Sequence, residues 1–202
     1  MLRNLFLATA AAATLGTHAF AQTEPAAPAA TTTAAPTAAP SSATVNVGVE
    51  PLADVPAPNF VAWSWDSNAF EIATAKIALR KASRPDVKAY AQSMLTAHET
   101  MQKTLAASLK NDTRVFTQPN DALSPQNAAL VDQLEKAPAA SFDNLYLTQQ
   151  VAAHQKAWAI TKGFANVGQD EALKTVATAS VPMIEQHFAQ VQGLVPASLA
   201  AK

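Results

Sequence analysis

Apolar residues recur at alternating steps of three and four through four long stretches of this chain, the spacing of helices with one buried face. The clearest stretch runs from Arg84 to Lys110, where Val87, Ala91, Met94, His98, Met101, Leu105 and Ser108 share a stripe and Pro85 suits the first helical position. Before it, the pattern predicts a helix that begins at Asn59 as N-cap, reaches about Ser83 and carries the small-residue stripe Ser64, Asn68, Glu71, Ala75 and Ala78. A third long helix is predicted from Phe142 to about Asn166, capped by Ser141, with Leu147, Val151, His154 and Trp158 on one line. After Gly168, Asp170 and Glu171 suit the positive end of a fourth, which aligns Leu173, Ala177, Ser180, Ile184, His187, Val191 and Leu194. Pro182 interrupts its hydrogen-bond ladder and predicts a kink. A short helix opens at Ser124-Pro125 and stops before Pro138, with Leu130, Val131 and Leu134 apolar, as part of the long crossover. The expected fold is all-α: a four-helix bundle of roughly 140 residues with a short extra helix in the crossover.

Composition adds the context. Among 202 residues there is no Cys, so neither disulfides nor thiolate metal ligands are available, and any metal would rest on imidazole and carboxylate. A formal net charge of -1 argues against nucleic acid as a partner. Residues 1–21 read as a cleaved signal peptide: Arg3, a short apolar run from Leu5 to Leu15, then Ala19-Phe20-Ala21 as the cleavage site. The run is shorter than the roughly 20 residues a membrane span needs, so no transmembrane anchor is expected after cleavage. The mature protein is expected to be exported, and periplasmic in a Gram-negative source. Residues 22–58 hold seven of the thirteen prolines amid Ala, Thr and Ser, the composition of a disordered linker. The folded domain is expected over 59–196 and a tail over 197–202.

The inward polar residues are the candidates for chemistry. Each histidine of the mature chain, His98, His154 and His187, interrupts the apolar stripe of a different long helix, and Glu71 lies on the stripe of the first. A lone histidine there is most often a hydrogen-bonded core residue, but burying all four without partners would cost several kcal/mol. Either they bond one another or they bind an ion such as Zn, Fe, Cu or Ni. Counted from the break at Arg84, Glu71 and His98 are level, both about 20 Å away. His154 and His187 lie about fourteen and nineteen residues from Gly168, a mismatch of roughly 7 Å. Asp143 and Tyr146 can serve as a helix cap and a packing residue, or can orient a histidine from behind. Trp63, Trp65 and Trp158 read as core or end packing, and the basic cluster Lys76, Arg80, Lys81 and Arg84 as the cationic complement of a helix C-terminus.

The segments K-A-S-R-P-D-V-K-A-Y-A-Q-S-M-L-T-A-H, F-D-N-L-Y, V-A-A-H-Q and V-P-M-I-E-Q-H-F resemble the bacterial family called domain of unknown function 4142, over about Phe60 to Leu194. The resemblance implies an exported, ferritin-like helical bundle and no stated activity. It places the family's recurrent polar residues on Glu71, His98, Asp143, Tyr146, His154 and His187. Ala97 and Gln155 stand where family members often carry Asp and Glu beside the histidines. The Glu-x-x-His pairs of di-iron bundles are missing, since Leu95, Val151 and Ile184 precede the three histidines by three. Without a nucleophile motif or phosphate loop, an enzyme is the less favoured reading. Two functions stay open: an exported binder of a metal ion or small ligand, or a structural or stress-related module, with a partner in the cell envelope, whose histidines form a buried polar network.

Overall fold

The computed structural model describes residues 45–110 and 116–197. Within them lie five helices and no strand: α1 (Ala57–Lys81), α2 (Pro85–Lys110), α3 (Pro125–Lys136), α4 (Ala139–Val167) and α5 (Glu171–Leu194). The predicted leader, most of the predicted linker, residues 111–115 and the end of the tail lie outside the described residues. Among the described residues, no helix is long and apolar enough to cross a membrane.

Two helix starts differ from expectation. Asn59 and Ser141 lie inside α1 and α4, whose N-caps are Pro56 and Pro138 with no side-chain cap bond. Proline suits such a start because its ring fixes φ near the helical value and the missing N–H would be unpaired there anyway. Ser124 and Asp170 do cap, accepting from the amides of Asn127 and Leu173. Helix α5 continues through Pro182, which is exposed. The lost rung there falls at the carbonyl four residues earlier, on Thr178.

Helix α1 packs on α2 and α4, and α5 packs on the same two. Specific contacts give the directions. Phe60, early in α1, stacks on Phe164, late in α4, at 4.2 Å, whereas Ser83, just past α1, bonds Asp143 near the start of α4. Arg84 at the head of α2 donates to the Leu194 carbonyl that ends α5. Neighbouring helices are therefore antiparallel, which leaves α2 and α4 parallel, and the chain must travel back along the domain between them. Helix α3 makes that return beside α1. Asp66 accepts from the Ser124 amide and the Asn127 side chain at its head, and the Lys81 ammonium donates to the carbonyls of Leu134, Glu135 and Ala137 at its tail. The basic cluster thus caps a different helix from its own, as well as suiting its own dipole.

The core divides into two apolar clusters. One gathers Val87, Tyr90, Met94, Leu134, Phe142, Tyr146 and Leu147; the other gathers Phe60, Trp65, Leu105, Ile160, Phe164 and Leu173. Of the three tryptophans, Trp65 is core, its indole N–H donating to Asp121, and Trp158 is half-buried and bonded to Glu185. Trp63 departs from the core expectation at 38 % exposed.

The described end of the predicted disordered linker, from residue 45 on, departs further from expectation. Residues 45–56 lie along α4, with Val47 and Val55 buried, the Gln155 side chain donating to the Val47 carbonyl, and the Leu52 amide donating to the Ala159 carbonyl at 2.9 Å. Gly48 makes the bend with φ +78°, a conformation costly for other residues. Gly163 admits the strap, because a Cβ there would meet the Leu52 carbonyl oxygen at 2.3 Å. Prolines mark this stretch as linker by composition, yet two buried valines and paired backbone groups suffice to fix it. In an unconstrained helix, Gly163→Ala would stabilise by about 1 kcal/mol. Here it should bring no such gain and should abolish the hydrogen-exchange protection of the Leu52 amide. A stabilised variant with Leu52 still protected would contradict the packing role of Gly163.

Candidate functional site

Between the two apolar clusters the histidines meet. Helix α2 contributes His98, α4 His154 and α5 His187, each no more than 2 % exposed. Their ring centroids form a nearly equilateral triangle with sides of 5.9, 5.5 and 5.6 Å. The expected mismatch of His154 and His187 closes for a geometric reason. Side chains lean toward their helix N-terminus. In α4 that lean carries the ring away from the α4–α5 turn, and in antiparallel α5 it carries the ring toward it.

Each ring offers a free nitrogen. His98 Nδ1 lies 2.8 Å from Asn68 Oδ1, and His154 Nδ1 lies 2.9 Å from the Gln150 carbonyl of the preceding turn. Both oxygens only accept, so both Nδ1 atoms carry the proton and both Nε2 atoms carry lone pairs. His98 Nε2, His154 Nε2 and His187 Nδ1 are all buried without a hydrogen-bond partner. One ligand nitrogen from each histidine lies within 4.8 Å of the other two.

Electrostatics keep these rings neutral. Burial holds His98 well below the usual imidazole range, and the neighbouring His154 and His187 lower it further. His154 falls to about 4, chiefly by burial, although its bond to the Gln150 carbonyl opposes the shift. Burial also brings His187 to about 4.

Glu71 does not join the triangle. It is 1 % exposed, and its Oε2 accepts from the Gln150 side-chain amide at 2.7 Å. Its Oε1 is 3.8 Å from His154 Nδ1, the nitrogen whose proton already goes to a carbonyl. The carboxyl thus lies behind His154, on the side away from its free nitrogen. Asn68, one turn earlier on the same stripe, takes the place facing His98. Burial raises Glu71 to about 8 against the opposing bond from Gln150, so at neutral pH it is mostly the neutral acid. Gln150 in turn accepts from the Tyr90 hydroxyl at 3.2 Å, tying α1, α2 and α4 together in one polar layer.

Asp143 and Tyr146 lie farther down the domain. The Asp143 carboxylate accepts from the Ser83 amide, the Ser83 hydroxyl at 2.6 Å and the Arg84 amide, and so ties the α1–α2 connection to the start of α4. It does not orient a histidine. Tyr146 stacks on Phe142 and meets Tyr90 edge-on, and its buried hydroxyl has no hydrogen-bond partner. Burial and the nearby Glu71 push that hydroxyl well above its ordinary range. Sequence reasoning missed Asn68 and Gln150 as the groups that orient the rings. For Asn68 the available signal was a polar amide on the inward stripe of α1, three residues before Glu71; Gln150 acts through its backbone carbonyl, for which its side chain gives no signal.

A small cleft of about 30 Å³ reaches His98 from the second apolar cluster, with Phe60, Ser64, Met101, Thr161 and Ser180 among its walls. Three neutral imidazoles converging from three helices can each turn a ring nitrogen to a cation as the base of a tetrahedron. A triangle with no side above 4.8 Å has its centre at most about 2.8 Å from each corner, so ring motions below 1 Å reach the 2.0–2.1 Å of a metal–imidazole bond.

Among solved structures, the chain is similar to the crystal structure of a DUF305 fragment from Deinococcus radiodurans, at 18% identity and a TM-score of 0.60, over 71% of this chain and 97% of that one. That likeness concerns the helical fold alone. No curated protein matches the sequence. The profile described as domain of unknown function (DUF4142) matches residues 21–194, as the sequence motifs lead one to expect, and the chain belongs to that family.

Proposed function

We propose that this protein is an exported, ferritin-like four-helix domain that binds one transition-metal ion through His98, His154 and His187. The leader-like residues 1–21 support export, and the ring of four antiparallel helices with a long crossover supports the fold assignment. The observation that carries the metal reading is the convergence of three histidines with ligand nitrogens within 4.8 Å of one another, each ring having one buried nitrogen without a hydrogen-bond partner. An unsatisfied buried acceptor costs about 1–3 kcal/mol, and a single cation recovers that cost for all three at once. Asn68 and the Gln150 carbonyl hold the opposite nitrogens as outer partners of metal-bound imidazoles do, fixing tautomer and ring orientation. A di-iron centre does not fit, because the carboxyl of Glu71 lies outside the converging set. A metal-free polar network explains the bonds of Asn68, Gln150 and Glu71, but it leaves one buried nitrogen of each histidine without a hydrogen-bond partner.

The test is elemental analysis of the untagged protein purified from the periplasm, with His98→Ala alongside. Near one equivalent of a transition metal is expected, lost in the variant while its helical circular dichroism is retained. Wild-type protein that is metal-free as isolated and takes up neither copper nor zinc on dialysis would overturn the proposal.

A further inference from the structure

We infer that Met101 supplies a fourth, thioether ligand and that the ion this site selects is copper(I), an inference that rests on the metal-binding reading above. Met101 stands one helical turn beyond His98 on the same inward stripe of α2, is partly buried, and lines the same cleft as His98. Helical side chains lean toward the N-terminus, so its thioether leans back toward the His98 ring, and its unbranched stem adjusts easily. The other walls offer poorer donors. Phe60, Leu105, Ile160 and Ile184 have no ligand atom, Asn68 is bonded to His98, the Ser180 hydroxyl is engaged with the Val176 carbonyl, and Ser64, Ser67 and Thr161 offer only neutral hydroxyls.

Charge points the same way. The converging set contains three neutral imidazoles and no carboxylate, and it lies between two apolar clusters. The desolvation cost of an ion grows with the square of its charge, so a monocation costs about a quarter of what a dication does in the same place. Thioether and imidazole together suit soft copper(I), whereas harder dications prefer carboxylate ligands, and no carboxylate belongs to the converging set.

The experiment is competition of the full-length protein against a chromophoric copper(I) chelator under anaerobic reducing conditions, with a matching zinc(II) competition. Wild type, Met101→Leu and His187→Ala are compared. Met101→Leu keeps the volume and apolar character of the side chain, and thermal melts check that it folds. The expected result is a loss of at least about tenfold in copper(I) affinity for Met101→Leu, with zinc affinity changed less than about threefold. X-ray absorption of the copper-loaded wild type should show a copper–sulfur shell that vanishes in the variant. If His187→Ala abolishes binding but Met101→Leu leaves copper(I) affinity and the absorption spectrum unchanged, the thioether inference is wrong and the three-histidine site stands. If wild type and His187→Ala bind both metals equally weakly, the site itself is wrong.

Discussion

Saturation of the proposed three-histidine site with metal should raise the unfolding free energy of this protein by about 4 kcal/mol once free metal exceeds the dissociation constant a thousandfold. For a domain of this size that is a rise in Tm on the order of 10 °C. By linkage, the folded chain holds a ligand nitrogen of each histidine within 4.8 Å of the other two, whereas unfolding scatters them. The sequence separates His98 from His154 by 56 residues and has no Cys, so the unfolded chain is a poor chelator. His154→Ala should show no metal-dependent shift. Asn68→Ala should keep a smaller one, because an outer partner of a ligand imidazole is worth 10–100-fold in affinity, or about 1.4–2.7 kcal/mol. Melts at matched protein concentration, with metal and with chelator, check this. An identical melt in both conditions for the wild type would count against a preformed site.

The helices were legible because each repeats a three-four stripe long enough to outweigh local ambiguity. Met94, Leu105, Leu173 and Ile184 are all buried as their spacing requires. Starts were less legible: Asn59 and Ser141 have good cap chemistry, but a proline nearby set the entry of each chain first. The strap was hidden by composition, since the decisive residue is Gly163, more than a hundred positions from the segment it admits. The three histidines could be read from their stripes. The role of Glu71 could not, because a stripe position gives a direction across the helix and not a partner. One turn of α1 separates a side chain that meets His98 from one that passes behind His154, and only packing decides which of Asn68 and Glu71 does which.

The metal-free protein should be most stable near pH 6.5, with losses on both sides for opposite reasons. His154 and His187 titrate at about 4 in the folded protein, and His98 is held low as well, against an ordinary 6.5. The unfolded chain therefore binds more protons as pH falls from 6.5 toward 4, and stability declines through that window. Each of His154 and His187 contributes on the order of 3 kcal/mol at the acid end if the others remain neutral. Glu71 has the opposite sign. Its folded value of about 8 exceeds the ordinary 4.5, so the folded state holds a proton that the unfolded state releases, and stability declines as pH rises from 4.5 to 8. Between pH 4.5 and 6.5 three histidines outweigh one carboxyl; above 6.5 the carboxyl acts alone. Its surroundings add no compensating charge, since Gln150 and Thr74 are neutral and Tyr90 and Tyr146 are held well above their ordinary range. Urea unfolding in chelator from pH 4.5 to 8.5 should trace this maximum, and Glu71→Gln should flatten the alkaline limb while sparing the acid one. A profile flat from pH 5 to 8 would mean that the imidazoles and the carboxyl are not buried in their neutral forms.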